Sequence, residues 1–314
     1  MFRLKIYTEW IEKASRLYEQ GMKYNQIAKE LGVDRKVVSY RLRERGYQSD
    51  QRYVRNVSVE KLRKYDYTQA ENIFNKIDSE EKAYWLGFLY ADGNVDLDNN
   101  TVSIALAEED LEHVKSFAKF MGLSNKKLHK KIRNLNGKKF ISYEFSATSK
   151  ILKEQLIKLK CYPKKTYTLN FPSYKIVPKK YMKDFVRGYV DGDGSITNGA
   201  TSIIVLDVLG TKEFIEGYQK WTGLHQNKIH SFSHTNSVVH SMYSGIAAIY
   251  ILDILYENAT VYLKRKHDRY LALRRLRLKT IRRPKSIIAE FSKKGLFRPN
   301  LRLKALLKEV DSLQ

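Results

Sequence analysis

The chain has 314 residues but only one cysteine and five prolines. A single thiol forms no internal disulfide and no thiolate cage for a metal, which is typical of a reducing compartment. The residues after Met1 lack the apolar core of a signal peptide, and the longest apolar stretch, 83–91, is far shorter than the roughly 20 residues of a membrane-spanning helix. We therefore expect a cytoplasmic or intra-organellar protein that is not secreted.

Acidic residues are also scarce relative to basic ones. Lys and Arg together number 58 and Asp and Glu 34, so the formal net charge is 58 − 34 = +24. Such an excess gives the surface a positive potential that attracts polyanions, nucleic acid above all. Hydrophobic residues make up 43% of the chain, which is enough to form a globular core and excludes disorder throughout.

The first 47 residues predict a unit of three short helices. Apolar residues recur at helical spacing on either side of Gly21 and Gly32, and Asp34 is a suitable N-cap for the third helix. The stretch NQIAKELGVDRKVVSYRLRERGY resembles the helix-turn-helix of many bacterial DNA-binding proteins, whose last helix enters the major groove. A small helical hairpin for protein contacts is the alternative. The outward residues of the third helix, predicted to contact DNA, are Arg35, Lys36, Ser39, Tyr40 and Arg43.

The rest of the chain contains an internal repeat. The segment WLGFLYADG at 85–93 recurs in altered form as VRGYVDGDG at 186–194, with an offset of 193 − 92 = 101 residues. Each copy predicts the order helix, two strands, helix, two strands, helix. The first copy is expected at 77–180 and the second at 181–279, followed by a basic tail at 280–314.

Turn residues divide these segments. Residues 48–76 contain no glycine and no proline, and they predict a connector between the helical unit and the repeats. In the first copy, Asn136-Gly137 is a strong signal for a tight hairpin turn. The corresponding turn of the second copy is expected near Thr235-Asn236.

Small residues mark one face of each motif helix. Gly87 and Ala91 lie four residues apart in the first copy, and Gly188 and Gly192 do so in the second. Small residues at this spacing let two helix backbones approach closely. We therefore expect the two motif helices to pack against each other about a pseudo-two-fold axis.

Each motif helix ends in Asp-Gly, with Asp92 in the first copy and Asp193 in the second. A carboxylate at the negative end of a helix costs about 0.3–1 kcal/mol, and a second carboxylate nearby adds repulsion. A divalent cation would remove this conflict, and acidic oxygen-rich sites suit Mg²⁺. The alternative is that both segments are ordinary helix ends whose aspartates are solvated.

The paired motifs resemble those of the LAGLIDADG homing endonucleases in their single-chain form with two motifs, over residues 77–279. The resemblance implies an α+β fold in which two pseudo-symmetric αββαββα repeats form a saddle of two four-stranded antiparallel sheets, here preceded by an all-α helix-turn-helix domain. It implies a site-specific endonuclease that hydrolyses both strands of DNA with a divalent metal, Mg²⁺ or Mn²⁺, between the motif helices. One departure is that the earlier motif aspartate is Tyr90 in the first copy and Asp191 in the second.

The same resemblance implies the roles of particular residues. The last aspartate of each motif and the carbonyl before it would bind the metal, which selects Asp92, Asp193, Ala91 and Gly192. Similar enzymes place a lysine near each active centre. The candidates at the repeat offset, 266 − 165 = 101, are Lys165 and Lys266, with Lys164 or Lys264 as alternatives.

Basic residues on the strands are candidates for contacts with phosphates and base edges. The expected DNA-binding residues of the two sheets are Lys127, His129, Lys131, Arg133, Lys138, Lys139, Lys228, His230 and His234. The histidines at 225, 230, 234 and 240 do not have zinc-finger spacing, so a strand position facing DNA is favoured over a zinc site. The segment 264–285 predicts an amphipathic basic helix that contacts the DNA backbone.

Two half-sites in one chain predict a monomer that reads a long asymmetric duplex and takes part in intron homing. Two alternatives stay open at this point. A DNA-binding regulator on the same fold would have lost the motif acids, whereas both are present. An intron maturase that binds RNA is equally compatible with a basic surface.

Overall fold

The computed structural model describes residues 2–45, 47, 64–162, 168–199, 204–225, 227–232, 235–280 and 301–312. The chain falls into two compact units, Met1–Lys64 and Tyr65–Gln314, each with its own hydrophobic core. The helix-turn-helix prediction concerns the first unit, and the internal repeat concerns the second.

The first unit folds as three helices, which are α1 (Phe2–Glu19), α2 (Tyr24–Leu31) and α3 (Arg35–Glu44). Gly32 follows α2 in the left-handed conformation, with φ 63°, where glycine has no Cβ to clash. Asp34 then begins α3, because its carboxylate accepts a hydrogen bond from the backbone N–H of Lys36 at 2.7 Å. Val38 and Leu42 on the inner face of α3 are fully buried. The predicted three helices are confirmed.

The second unit contains two copies of one helix-and-strand order. Its helices are α4 (Thr68–Asn72), α5 (Glu80–Ala91), α6 (Leu111–Phe120), α7 (Lys150–Lys158), α8 (Met182–Asp193), α9 (Lys212–Thr222), α10 (Gly245–Tyr256), α11 (Lys264–Thr280) and α12 (Leu301–Ser312). Its strands are β1 (Gly93–Asp96), β2 (Thr101–Ala107), β3 (His129–Leu135), β4 (Lys138–Thr148), β5 (Gly194–Asn198), β6 (Ile204–Gly210), β7 (Ile229–Phe232) and β8 (Thr235–Ser244). From α5 to α7 and from α8 to α10 the order is αββαββα, as predicted.

Each repeat forms one four-stranded antiparallel sheet, with strand orders β1-β2-β4-β3 and β5-β6-β8-β7. The alternate residues Val102, Ile104 and Leu106 of β2 are buried, and Ile104 pairs with the buried Phe145 of β4, so this parity defines the core face. Residues of the other parity form the opposite face, which we call the open face. On β3 and β4 the open-face side chains are exposed or half-buried.

The two hairpin turns differ. Asn136 and Gly137 both have positive φ, 50° and 74°, as the tight turn between β3 and β4 requires, so that prediction is confirmed. The turn predicted near Thr235 and Asn236 is wrong, because both residues belong to β8 and Phe232 already pairs with Thr235. The residues between them, 233–234, lie outside the described ones. Thr235, Val238 and Val239 are β-branched, and their strand propensity favours a strand that already begins at Thr235.

Helices α5 and α8 touch through their backbones. A Cβ atom at Gly87 would lie 1.9 Å from the carbonyl oxygen of Phe185, and one at Gly188 would lie 1.9 Å from that of Tyr84. These two contacts are related by the repeat offset of 101 residues. The predicted close approach about a pseudo-two-fold axis is therefore confirmed.

The boundaries of the second unit differ from those of the expected segments. The connector was expected to extend through residue 76, but the second unit begins at Tyr65, and Tyr67, Ala70 and Phe74 are buried in its core. Within the expected tail, Leu306 and Val310 of α12 are buried in the same core. Residues of low sequence periodicity thus complete the packing around the repeats.

The sequence predicts no membrane-spanning helix and no internal disulfide. None of the helices among them is both long enough and apolar enough to cross a membrane. The lone thiol of Cys161 is buried, with its Sγ atom 3.7 Å from the carbonyl oxygen of Leu89. This cysteine is therefore a core side chain that packs against α5.

Replacing Gly87 with alanine should destabilise the second unit by more than about 3 kcal/mol, because the new methyl group meets a backbone carbonyl that cannot move without shifting α8. The measurement is the free energy of unfolding from a denaturant titration. Gly137→Ala is the control. Gly137 has a positive φ, unlike Gly87, but nothing lies within 4 Å of its Cβ position, so the cost of its alanine should stay at about 1–2 kcal/mol. Equal costs for the two variants would contradict the close contact.

Candidate active site and nucleic-acid interface

The last turns of α5 and α8 abut, and each ends in an acidic residue. Asp92 follows α5 as its C-cap, and Asp193 is the last residue of α8. A Cβ atom at Gly192 would lie 2.3 Å from the Cβ of Ala91 and 3.5 Å from Oδ2 of Asp92. The absence of a side chain at Gly192 thus lets the two helix ends, with their carboxylates, come together.

The negative charges of both carboxylates affect the pKa of one buried tyrosine hydroxyl. The pKa of Tyr189 is raised well above its usual value, first by burial and then by the negative charges of Asp193 and Asp92. The hydroxyl donates a hydrogen bond to the carbonyl oxygen of Leu209 at 2.8 Å. A cavity of about 230 Å³ lies between α8 and β6, and Tyr189 and Asp193 are among its lining residues. The sequence-predicted pair of acids is therefore brought to one place beside a small cavity.

Lys266 reaches this place from α11. Its ammonium group donates hydrogen bonds to the carbonyl oxygens of Val190, Gly192 and Gly194 at 3.0, 2.9 and 2.6 Å. Burial lowers the pKa of Lys266, and the nearby charges of Asp191 and Asp92 oppose that shift. A cation at the carbonyl end of a helix is favourable, so Lys266 also stabilises the end of α8.

The other lysine candidates do not reach the site in the same way. Lys264 is exposed and forms an ion pair with Asp268 on its own helix. Lys164 and Lys165 lie outside the described residues. Among the described candidates, only Lys266 is placed at the pair of acids.

The donor set fits a divalent cation that prefers oxygen. Asp92 and Asp193 supply carboxylates, and Ala91 and Gly192 supply the preceding carbonyls, although that of Gly192 already accepts from Lys266. Within the described part of the chain, no group of three or more His, Cys, Asp or Glu side chains could hold a metal ion alone. An ion held by two carboxylates would keep waters or take oxygens from a substrate, as Mg²⁺ does.

The motif position that differs between copies has one structural role. Asp191 is buried and accepts hydrogen bonds from the hydroxyls of Tyr84 and Tyr256 at 2.8 and 2.6 Å and from the N–H of Leu263 at 2.7 Å. Burial raises its pKa despite these bonds. In the first copy, the hydroxyl of Tyr90 donates to the carbonyl oxygen of Leu159. Each side chain ties its motif helix to the region after the third helix of its own repeat, and Asp191 also bonds to Tyr84 of the other motif helix.

A buried ion cluster at the opposite end of the helix pair escaped the sequence reasoning. The fully buried guanidinium of Arg187 donates to Asp184 and Glu80, each at 2.8 Å, and to the carbonyl oxygens of Leu255 and Val261, each at 2.9 Å. Glu80 belongs to α5, so the cluster joins the two repeats. The sequence contains one indication of this cluster: Arg187 occupies the position at which the first copy, 101 residues earlier, has the apolar Leu86.

The first sheet presents cations on its open face. The register pairs Lys131 with Ser142 and Arg133 with Phe140, and all residues of β3 are exposed. Lys138 and His129 share this parity, whereas Lys139 pairs with Asn134 on the opposite face. Lys127 is exposed just before β3. Of the predicted contacts within the strands of this sheet, all but Lys139 thus lie together on the open face.

The second sheet is different. His230 pairs with His240 across β7 and β8, and Nδ1 of His240 lies 2.8 Å from the Asp207 carboxylate. Lys228 is exposed before β7, and His234 lies outside the described residues. Strands β5 to β8 contain no lysine or arginine, so the expectation of basic charge on both strand faces is wrong for this sheet.

The basic helix α11 uses part of its charge inside the protein. Arg265 binds Asp110 of the first repeat at 2.8 Å, and Arg274 binds Asp253 and Glu309 at 2.8 and 2.7 Å. Contrary to an amphipathic pattern, Leu271 of this helix is 45% exposed. These arginines hold α11 in the second unit. Because they bind acidic side chains of the protein, they are not available for the predicted contact of α11 with the DNA backbone.

The candidate recognition helix of the first unit has a basic outer face. Arg35, Lys36, Tyr40 and Arg43 are exposed, and Ser39 is half-buried. The guanidinium carbon of Arg41 lies 5.0 Å from the centroid of the Tyr40 ring. The residues predicted to contact DNA are thus available on the surface of α3.

Comparison with known proteins gave matches only among solved structures, since no family model and no curated protein matched. The meganuclease I-SmaMI bound to uncleavable DNA is 13% identical, with a TM-score of 0.42 over 73% of this chain and 98% of that chain. The I-LtrWI LAGLIDADG homing endonuclease bound to target DNA is 14% identical, with a TM-score of 0.38 over 71% and 99%. I-SmaMI bound to uncleaved DNA with calcium ions is 13% identical, with a TM-score of 0.37 over 73% and 98%.

Acid should destabilise the helix pair through His113. Its ring, 7% exposed, lies 3.0 Å from the hydroxyl of Tyr84, and burial lowers its pKa from 6.5 to about 4. The His113 ring is therefore protonated below about pH 6.5 in the unfolded chain but only below about pH 4 in the folded chain. Stability present above pH 6.5 is lost as the pH falls, by about 2 kcal/mol between pH 8 and pH 5.

The measurement compares the free energy of unfolding at pH 8 and pH 5 in the wild type and in His113→Gln. Glutamine keeps a hydrogen-bonding group but does not titrate, so this variant should lack the difference of about 2 kcal/mol. His129→Gln is the control, because His129 is exposed. A pH dependence that is unchanged in His113→Gln would assign the acid sensitivity to other groups.

Proposed function

We propose that the chain is a LAGLIDADG homing endonuclease that cuts both strands of a long asymmetric DNA site. The observation that carries this proposal is the pair of acids, Asp92 and Asp193, at the abutting ends of two helices related by the internal repeat. Two carboxylates brought together at helix C-termini repel each other, and a bound divalent cation would offset that repulsion. The cationic open face of the first sheet supports a polyanionic substrate.

In this proposal Asp92 and Asp193, with the carbonyls of Ala91 and Gly192, would hold Mg²⁺ or Mn²⁺ between the repeats. A bound divalent ion supplies charge stabilisation for phosphodiester hydrolysis and an activated water. Lys266 holds a fixed positive charge at the same end of α8, because three carbonyls fix its ammonium group. We assign Lys266 the role of stabilising negative charge on the scissile phosphate and leave the equivalent role in the other half to Lys165.

DNA binding would use two parts of the chain. The open-face cations of the first sheet would contact phosphates and bases, and α3 would enter a major groove outside the cleavage core. Because one chain contains both repeats, it would act as a monomer on a site without palindromic symmetry.

Replacing Asp92 or Asp193 with asparagine should reduce double-strand cleavage by about a thousand-fold, since one charged metal ligand is worth several kcal/mol in the transition state. Substrates are duplexes recovered from a random library by binding in Ca²⁺, then incubated with Mg²⁺. Calorimetry of Ca²⁺ binding provides a second readout, and each variant should lose affinity there too. Asp98→Asn, at an exposed position before β2, is the control. Full cleavage by both variants would overturn the mechanism.

Replacing Lys36 and Arg43 of α3 with alanine should weaken DNA binding while leaving the cleavage rate at saturating DNA unchanged. Each phosphate contact that is lost should reduce the slope of log affinity against log salt by about 0.9. The measurement is the affinity for selected duplexes across a salt series, with Lys13→Ala on α1 as an exposed control in the same unit. A slower rate at saturation would contradict a separate binding role for this unit.

A further inference from the structure

The hairpin of β3 and β4 exposes apolar side chains among its cations. Phe140 and Leu135 are 54% and 63% exposed, respectively, although both strands are otherwise rich in charge. Exposed apolar residues close together on a surface commonly mark an interaction site. Their position in the sheet indicates what that site binds.

The strand register places both residues on the open face. Phe140 pairs with Arg133, and Leu135 pairs with Lys138, the first residue of β4 after the turn. Directly paired residues of antiparallel strands have Cβ atoms about 4.5–5.5 Å apart and point to the same side. Each apolar side chain therefore stands beside a cation on the face that we propose meets DNA.

The local charge selects the occupant of this surface. An apolar partner surface would leave the guanidinium of Arg133 and the ammonium of Lys138 without anions, whereas a duplex supplies phosphates beside the groove. Within the major groove the apolar feature of a base edge is the 5-methyl group of thymine, and phenylalanine is among the side chains that contact it. A DNA duplex therefore matches both features of this surface, because its phosphates can pair with the cations and its thymine methyl groups can contact the apolar side chains.

We propose that Phe140 and Leu135 read thymine methyl groups in the half-site bound by the first sheet. This inference rests on the proposed function and adds a base preference to it. Burying one methyl group is worth about a four-fold change in affinity, which is the size expected for each thymine that is read.

The same strands provide a matched control. Ile132 is 52% exposed, but it pairs with Ile141 and lies on the opposite face. A general effect of surface hydrophobicity on folding or solubility should appear in Ile132→Ala as much as in Phe140→Ala. A loss of thymine reading should appear in Phe140→Ala and not in Ile132→Ala.

The test uses the full chain with Ca²⁺ and duplexes selected from a random library. In the selected duplexes thymines are replaced by deoxyuridines, which pair identically but lack the methyl group. The wild type and Ile132→Ala should lose about four-fold in affinity at one or two positions, and Phe140→Ala should lose this discrimination at the position that Phe140 reads while keeping it at any position read by Leu135. The salt slope should not change in Phe140→Ala, because no charge is removed.

Three results would overturn the inference. Equal binding of thymine and deoxyuridine duplexes by the wild type would exclude methyl reading while leaving the endonuclease proposal intact. A wild-type dimer in sedimentation that dissociates in Phe140→Ala would assign the surface to a second copy of the chain. Failure of the wild type to select any duplex would instead refute the proposed function, and the inference with it.

Discussion

The backbone contact between α5 and α8 is the constraint on which the rest of the second unit depends. At Gly87 and Gly188 no side chain separates the helices, and each glycine faces the carbonyl oxygen of Tyr84 or Phe185 in the other helix. Any larger residue would force the helices apart, and with them the two sheets. The same contact brings the C-terminal ends of both helices together, so the geometry of the acids follows from two missing side chains.

Close helix packing concentrates charge at both ends of the pair, and the chain treats the two ends differently. At the N-terminal end the guanidinium of Arg187 donates to two carboxylates and two carbonyls. At the C-terminal end a single buried cation, Lys266, binds carbonyl oxygens, while Asp92 and Asp193 add negative charge. At the first end both carboxylates form ion pairs with the guanidinium, whereas at the other end the ammonium binds backbone carbonyls and the two carboxylates form a set of oxygen donors that suits a ligand cation.

Features with local signals were predictable from the sequence. The repeat, its strand and helix order, the Asn136-Gly137 turn and the pairing of the motif helices follow from periodicity, glycine positions and a fixed offset. Apart from Asp184, the partners of Asp191 and Arg187 were not predictable, because they come from residues more than 60 positions away along the chain. The packing of α12 was missed for a similar reason, since its few core residues have no counterpart in the repeat.

The two sheets share a backbone but differ in chemistry. Arg133 and Lys131 stand on the open face of the first, whereas the second carries the Asp207–His240 pair and no lysine or arginine in its strands. Phosphate contacts would therefore be unevenly divided between the halves under the proposed function, and the second sheet would depend more on neutral hydrogen bonds. Pseudo-symmetry of the fold positions two acids equivalently, while divergence of the strand side chains removes any reason for the two half-sites to be alike.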